Sequence, residues 1–206
     1  MNTNMKPINL EEAKNILKFA KRIYKSLNGV TVEYGDSFAY YPNRLVIEIP
    51  KEISYEDELA MLEIVEYANA KFNADFELNI RECSLHAFCH EMGHHINFEG
   101  MAMTNRIEDY VMADSYNRYL YESYCEEFKE RTLEYYDEID EYESSGEFNE
   151  EIEFVLEQKR IDLIYEDKKL DYLYRQIPTE YAADEFSARF FMAYLKAYRK
   201  CNYELY

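Results

Sequence analysis

The first quarter of the chain changes from helical to strand-like spacing of its apolar residues. In residues 9–27, apolar side chains recur every three or four positions, which is typical of a helix that buries one face. Asn9 precedes two glutamates and is expected to cap this helix, and Asn28-Gly29 is expected to end it. Apolar–polar alternation then predicts a small sheet of two or three strands at residues 30–34, 38–41 and 45–49.

Helical spacing dominates the rest of the chain, apart from a short extended piece near residues 76–80. Helices are expected at residues 54–72, 82–97, 107–142 and 150–175, and from Thr179, as N-cap, to about Tyr198. Gly100 is expected to close the helix over 82–97. The turn Ser144-Ser145-Gly146 separates two long helices, which therefore predict a helical hairpin that Pro178 ends.

Together these elements predict one α+β domain over residues 1–206 that is mostly helical. It holds a small β-sheet, and residues 105–176 form an inserted helical hairpin. A chain of 206 residues with 48% hydrophobic residues is large enough for one real core.

No apolar run approaches the roughly 20 residues that cross a bilayer, and the first ten residues lack an apolar signal core. We therefore expect a cytoplasmic protein without a membrane partner. The four cysteines form no close CxxC pair, so we expect unbridged, mostly buried thiols rather than a cysteine-based zinc site. They are Cys83, Cys89, Cys125 and Cys201.

Negative charge is concentrated in the expected hairpin. The chain carries a net charge of −19, and residues 121–170 contain 18 acidic and 6 basic residues. Such a chain is not expected to bind nucleic acid through backbone phosphates. A basic protein partner, mimicry of nucleic acid and simple solubility all remain compatible with this charge.

The residues His90-Glu91-Met92-Gly93-His94 form an HExxH motif inside an expected helix. Positions i and i+4 share one side of a helix, so His90 and His94 can bind one ion, while Glu91 can reach a water on that ion. Zinc lowers the pKa of its bound water to about 7, and Glu91 would act as the general base. The alternative to a metal site is a helix whose histidines are ordinary surface or core residues.

A catalytic zinc needs a third protein ligand. The spacing HExxHxxGxxH is absent, because no histidine follows His95. Glu180 on the last expected helix can supply the ligand, and Asp184, one turn later, can orient a ligand imidazole. Two small residues beside them, Ala182 and Ala183, allow close helix approach. The alternative is an ordinary helix with acidic residues in its first turn.

Other residues near the motif have weaker claims. His86 lies one turn before His90 and is expected to pack under the site or, alternatively, to contact substrate. His95 is rotated by about 100° from His94 and is not expected to bind the same ion. Three tyrosines are candidates for stabilising an oxyanion, without a ranking among them: Tyr110, Tyr116 and Tyr181.

The motif HEMGH followed by EYAAD resembles the Glu-zincin peptidases, most of all the ImmA/IrrE-type metallopeptidases of bacteria and phages. The resemblance covers the two motif helices and, loosely, the small sheet. It implies a minimal zincin-like fold, a zinc cofactor and a role in phage or mobile-element regulation. It departs from the family at Ala182, where a second Glu is common, and in the long gap between His94 and Glu180.

We therefore expect a zinc metallopeptidase that hydrolyses an intracellular protein or peptide substrate. In this hypothesis His90, His94 and Glu180 bind zinc, Glu91 is catalytic and Asp184 orients a ligand. The alternative is a catalytically silent protein of the same fold that binds or inhibits a basic partner.

Overall fold

A computed structural model of the chain describes residues 7–54, 61–62, 65–67, 69–70, 80–103, 107–146 and 149–203. It divides the chain into two compact units. One unit comprises residues 1–107 and 179–206, and the other comprises residues 108–178. The expected extended piece near 76–80 lies outside the described residues except for Ile80, which is helical rather than extended. Most of the expected helix at 54–72 also lies outside them, and residues 61–62, 65–67 and 69–70 are helical, as expected.

The first unit begins with helix α1, Leu10–Ile23. Its start follows the expectation, because Asn9 and Glu12 form a reciprocal capping box. Its end does not, because Tyr24 takes an extended backbone and a separate 3-10 helix, Lys25–Gly29, follows. The break lets the Tyr24 ring pack edge-on against Phe186, with the ring centroids 5.2 Å apart.

Three strands form the sheet: β1, Thr31–Gly35; β2, Ala39–Tyr41; and β3, Val46–Pro50. Their order is β1-β3-β2, with β1 parallel and β2 antiparallel to β3. The central strand β3 is the most buried of the three, since Val46, Ile47 and Ile49 all lie in the core. The strands were predicted from the sequence, but the parallel pairing was not.

Two long helices complete this unit: α2, Ile80–Met103, and, at the end of the described chain, α5, Pro178–Tyr203. With α1 and the sheet they enclose one core, which contains Leu17, Ile47, Phe88, Met92 and Phe191. This core fixes α2 and α5 side by side and so positions the side chains of the candidate metal centre.

Several other helix boundaries differ from the sequence prediction, and two of them involve a glycine or a proline. Helix α2 continues through Gly100 to Met103, because Gly100 is exposed and an exposed helical glycine costs only about 1 kcal/mol. Helix α5 begins at Pro178, so Thr179 is not its cap. Proline suits the first turn of a helix because its missing N–H has no partner to lose there.

The second unit contains helices α3, Ile107–Ser145, and α4, Glu150–Tyr174. Gly146 has a φ of 65°, a left-handed conformation that ends α3, and the side chain of Asn149 caps α4. Ion pairs across the two helices show that they run antiparallel: Lys159 contacts Glu138, and Arg131 contacts Glu166.

The prediction of a mostly helical chain with one small sheet is therefore confirmed. Within the described ranges, no helix combines the length and apolar composition that crossing a bilayer requires.

Candidate metal centre

Helices α2 and α5 approach each other closely at Gly93. A methyl group placed on Gly93 would lie 2.8 Å from both the Cα and the carbonyl oxygen of Ala183. These are backbone atoms that cannot swing away, so only glycine allows this approach. The contact brings the motif helix and the Glu180 helix together at the backbone of Ala183.

Three side chains converge beside this contact. The Nε2 atoms of His90 and His94 lie 3.3 Å and 3.5 Å from the same oxygen, Oε2 of Glu180. The two imidazole rings are nearly perpendicular, with their centroids 4.7 Å apart. The structure thus joins two residues from α2 to one that is 86 positions further along the chain than His94.

Asp184 contacts the ring nitrogen of His90 that does not face Glu180. Its Oδ1 lies 2.7 Å from Nδ1 of His90, which leaves the Nε2 of that ring directed at Glu180. A carboxylate that accepts a hydrogen bond from one imidazole nitrogen makes the other nitrogen a better metal ligand. Asp184 is completely buried, so solvent does not weaken its hydrogen bond with His90.

Hydrogen bonds between imidazoles and buried carboxylates shift the pKa values of Glu180 and His90 in opposite directions. Burial alone would raise the pKa of Glu180, but hydrogen bonds with His90 and His94 hold this pKa well below its ordinary value. Burial would lower the pKa of His90, but its hydrogen bonds with Asp184 and Glu180 prevail and raise that pKa to about 10. Without a metal, these two pKa shifts favour a protonated His90 paired with an ionised Glu180.

The donor atoms can be compared with the geometry that zinc prefers. Tetrahedral coordination with bonds of about 2.0–2.1 Å places neighbouring ligand atoms about 3.3–3.4 Å apart. The separations of 3.3 Å and 3.5 Å between the imidazole nitrogens and Glu180 match this value. Two imidazoles and one carboxylate are also a typical donor set for catalytic zinc. The donor set and the two measured separations therefore both fit a zinc ion.

Glu91 belongs to the same cluster. Ligand atoms of His90, Glu91 and His94 all lie within 4.8 Å of one another. A carboxylate at this distance is near enough to hydrogen-bond a water held between the two imidazoles. Glu91 and Glu180 thus approach the imidazoles from the motif helix itself and from α5, respectively.

The other two histidines have structural surroundings. His86 is fully buried, and its ring packs edge-on against Phe191 at a centroid distance of 5.3 Å. His95 hydrogen-bonds through both ring nitrogens, to the hydroxyl of Tyr40 at 2.6 Å and the carbonyl of Ser26 at 3.0 Å. These bonds occupy both ring nitrogens of His95, and the expectation that His95 does not bind the same ion as His94 stays a prediction.

The three tyrosine candidates are distributed over both units. Tyr181 lies next to Glu180 on α5 and is half-buried, whereas Tyr110 and Tyr116 belong to the second unit. Tyr181 is therefore the candidate that shares a helix with a residue of the cluster.

One positioning contact was not foreseen from the sequence. The hydroxyl of Ser187 donates a 2.9 Å hydrogen bond to the backbone carbonyl of His86, one turn before His90. Both residues are buried, so this bond ties the two helices together below the cluster. A serine among the apolar residues of α5 was the available signal, although its partner could not be read from the sequence.

Comparisons with protein-family models, with curated proteins and with solved structures each found no match to this chain.

Proposed function

We propose that the chain is a zinc-dependent metallopeptidase of the Glu-zincin type, similar to the ImmA/IrrE-type enzymes. The observation that carries the proposal is the placement of Glu180, whose Oε2 lies at the spacing of tetrahedral zinc ligands from the Nε2 atoms of both His90 and His94.

Charge supports the same conclusion. Glu180 and Asp184 are 4% and 0% exposed, and two buried carboxylates are costly unless a cation compensates them. A divalent cation between the imidazoles and Glu180 supplies more compensation than a single proton on His90. The cluster is therefore better explained as a metal site than as an ordinary buried ion pair.

Each residue has a definite task in this proposal. His90, His94 and Glu180 hold the ion, and Asp184 fixes the orientation of the His90 ring. Zinc, when bound, acidifies water and polarises a carbonyl oxygen. The Glu91 carboxylate accepts the proton of the attacking water and returns it to the amide nitrogen that leaves. The substrate class is a protein or peptide.

Elemental analysis of purified protein tests the metal site. We expect about one zinc per chain in the wild type and in Glu185→Ala, and strong loss of zinc in His94→Ala and Glu180→Ala. Glu185 is a matched control, because it is a carboxylate on the same helix that pairs with Arg189 instead. Full zinc occupancy in Glu180→Ala would show that the ligand set is wrong.

Peptide cleavage tests the reaction. Zinc-loaded wild type is incubated with a proteome-derived peptide library, and new termini are identified by mass spectrometry. Glu91→Gln should keep its zinc and lose activity by about 10²–10⁴-fold, because it cannot move the proton. Zinc binding without any cleavage by the wild type would instead favour the alternative function, a catalytically silent binding protein.

A further inference from the structure

The outer side of α4 carries three large exposed rings, with a half-buried isoleucine between the first two. Residues spaced alternately four and three apart lie on one side of a helix. From residue 154 onward this spacing selects Phe154, Gln158, Ile161, Tyr165, Lys168 and Tyr172. Phe154, Tyr165 and Tyr172 are 66%, 71% and 52% exposed, which is high for large rings. We call these six positions the α4 stripe.

The α4 stripe is distinct from the side that packs on α3. That inner side runs through Leu156, Leu163 and Leu170, and Leu170 is buried. Each of these leucines follows a stripe position by two residues, which is about 200° around the helix. Helix α4 therefore carries three exposed rings on the side opposite to its inner leucines.

Negative charge surrounds the N-terminal half of the α4 stripe. This part of α4 carries five carboxylates and two cations, Lys159 and Arg160, which pair with Glu138 and Glu157. The carboxylates are Glu150, Glu151, Glu153, Glu157 and Asp162. Lys168 and Lys169 lie at the opposite end of the stripe.

The charge around the α4 stripe indicates which kind of partner can bind there. A second copy of the chain would bring another hairpin with 18 acidic and 6 basic residues in residues 121–170 against the first, and like charges repel. A helix with an apolar seam flanked by lysine or arginine would instead match both the apolar positions and the acidic surroundings. Exposed apolar patches bordered by charge are typical of protein interaction sites.

We propose that the α4 stripe is a docking surface for a basic amphipathic helix of a partner protein. The stripe from Phe154 to Tyr172 is about 27 Å long, so the docked helix has about five turns. Its apolar residues alternate at spacings of three and four, and its basic residues lie against the acidic N-terminal half of α4. This surface is independent of the metal site.

A designed peptide tests the docking surface. The probe is a fluorescein-labelled peptide of about three heptads, with leucine at the seam positions and lysine beside them. We expect micromolar binding to the wild-type chain by fluorescence anisotropy, and at least about tenfold weaker binding to the double variant Phe154→Ser/Tyr165→Ser. Both positions are exposed, and circular dichroism verifies that the helices are retained.

Two controls separate the stripe from charge alone. The double variant Tyr116→Ser/Tyr119→Ser removes two rings of 63% and 65% exposure from α3 and should keep the wild-type affinity within about twofold. A scrambled peptide of the same composition keeps the charge but loses the seam, and it should bind at least about tenfold more weakly.

Several results would overturn the proposal. Equal affinity of wild type and Phe154→Ser/Tyr165→Ser would remove the stripe from the binding surface. Equal binding of the scrambled peptide would reduce the interaction to charge. Dimerisation of the wild type that this double variant abolishes, seen by analytical ultracentrifugation, would assign the stripe to a second copy. None of these results depends on zinc, so they are distinguishable from a failure of the proposed peptidase function.

Discussion

Single residues set the electrostatics of the cluster on α2 and α5. Asp184 and Glu180 approach different nitrogens of one imidazole, His90, so the ring is fixed in both position and orientation. The His94 side chain is 20% exposed, and its Nε2 lies 3.5 Å from Glu180. The two imidazoles therefore differ, and His90 is the more strongly held.

The first prediction concerns Asp184. Asp184→Asn removes the negative charge behind His90, so the imidazole becomes a weaker donor, and zinc affinity should fall about 10–100-fold. Competition with a chelating dye measures this affinity. Glu185→Gln makes the same chemical change at a position that faces Arg189, and it should leave the affinity unchanged. An unchanged affinity in Asp184→Asn would show that this hydrogen bond does not support a metal ligand.

The second prediction concerns the pH dependence of the metal-free protein. The pKa of His90 is about 10 in the folded state, above its ordinary value of 6.5, because hydrogen bonds with Asp184 and Glu180 outweigh burial. The folded state then holds this proton more tightly than the unfolded state. Its stabilising contribution is complete below pH 6.5 and is lost as the pH rises towards 10, by up to about 1.4 kcal/mol per pH unit.

Urea unfolding of metal-free wild type and His90→Gln between about pH 6 and pH 10 measures this effect. The wild type should lose its advantage in unfolding free energy over the variant as the pH rises, because glutamine does not titrate. A constant difference between the two proteins across this range would contradict the raised pKa of His90.

At the scale of secondary-structure elements, helix spacing controls whether the cluster forms. A methyl group on Gly93 would come within 2.8 Å of the backbone of Ala183, which leaves no room for a side chain. Another glycine on the same helix, Gly100, has nothing within 4 Å of such a methyl group. The two glycines therefore form a natural pair of test positions.

The third prediction uses this pair. Gly93→Ala must push α2 and α5 apart, so it should lower the unfolding free energy by about 1–3 kcal/mol and weaken zinc binding. Gly100→Ala only improves helix propensity and should leave stability unchanged or raise it by about 0.5–1 kcal/mol. Thermal unfolding and elemental analysis measure both effects. Equal behaviour of the two variants would show that the close helix approach is not required.

Some helix boundaries depend on residues that are close in sequence, and others depend on residues that are far away. The cap of α1 was predictable because Asn9 and Glu12 interact within one turn. Its end at Ile23 was not, because the Tyr24 ring packs on Phe186, a residue that is 162 positions away. Long-range aromatic packing thus overrides the helical spacing that continues to Leu27.

At the scale of the whole molecule, the described thiols differ in burial. Cys83 and Cys89 are 2% and 0% exposed, whereas Cys125 on α3 is partly exposed. Burial raises the pKa of the Cys89 thiol far above its ordinary value, so the reactive thiolate is suppressed.

The fourth prediction follows from this difference. In native protein a maleimide reagent should modify Cys125, whereas Cys83 and Cys89 should react only as the first unit unfolds. Peptide mass spectrometry after labelling across a urea gradient identifies each site. Rapid labelling of Cys89 without denaturant would contradict the core position assigned to it, and circular dichroism of the same samples serves as the control for unfolding.

The sequence by itself determined which segments are helical, that His90 and His94 share one side of a helix, and where negative charge is concentrated. These properties depend on residues within a few turns of one another or on composition, so they can be read along the chain. The sequence also offered Glu180 as one of 42 acidic residues, with only local spacing to favour it.

The tertiary structure alone decided that Glu180 and Asp184 meet the motif helix, that β1 pairs parallel with β3, and that His95 bonds to Tyr40 and Ser26. The physical reason is that these contacts join residues far apart in sequence. They form only when the shared core and the contact at Gly93 bring α1, α2, α5 and the sheet together.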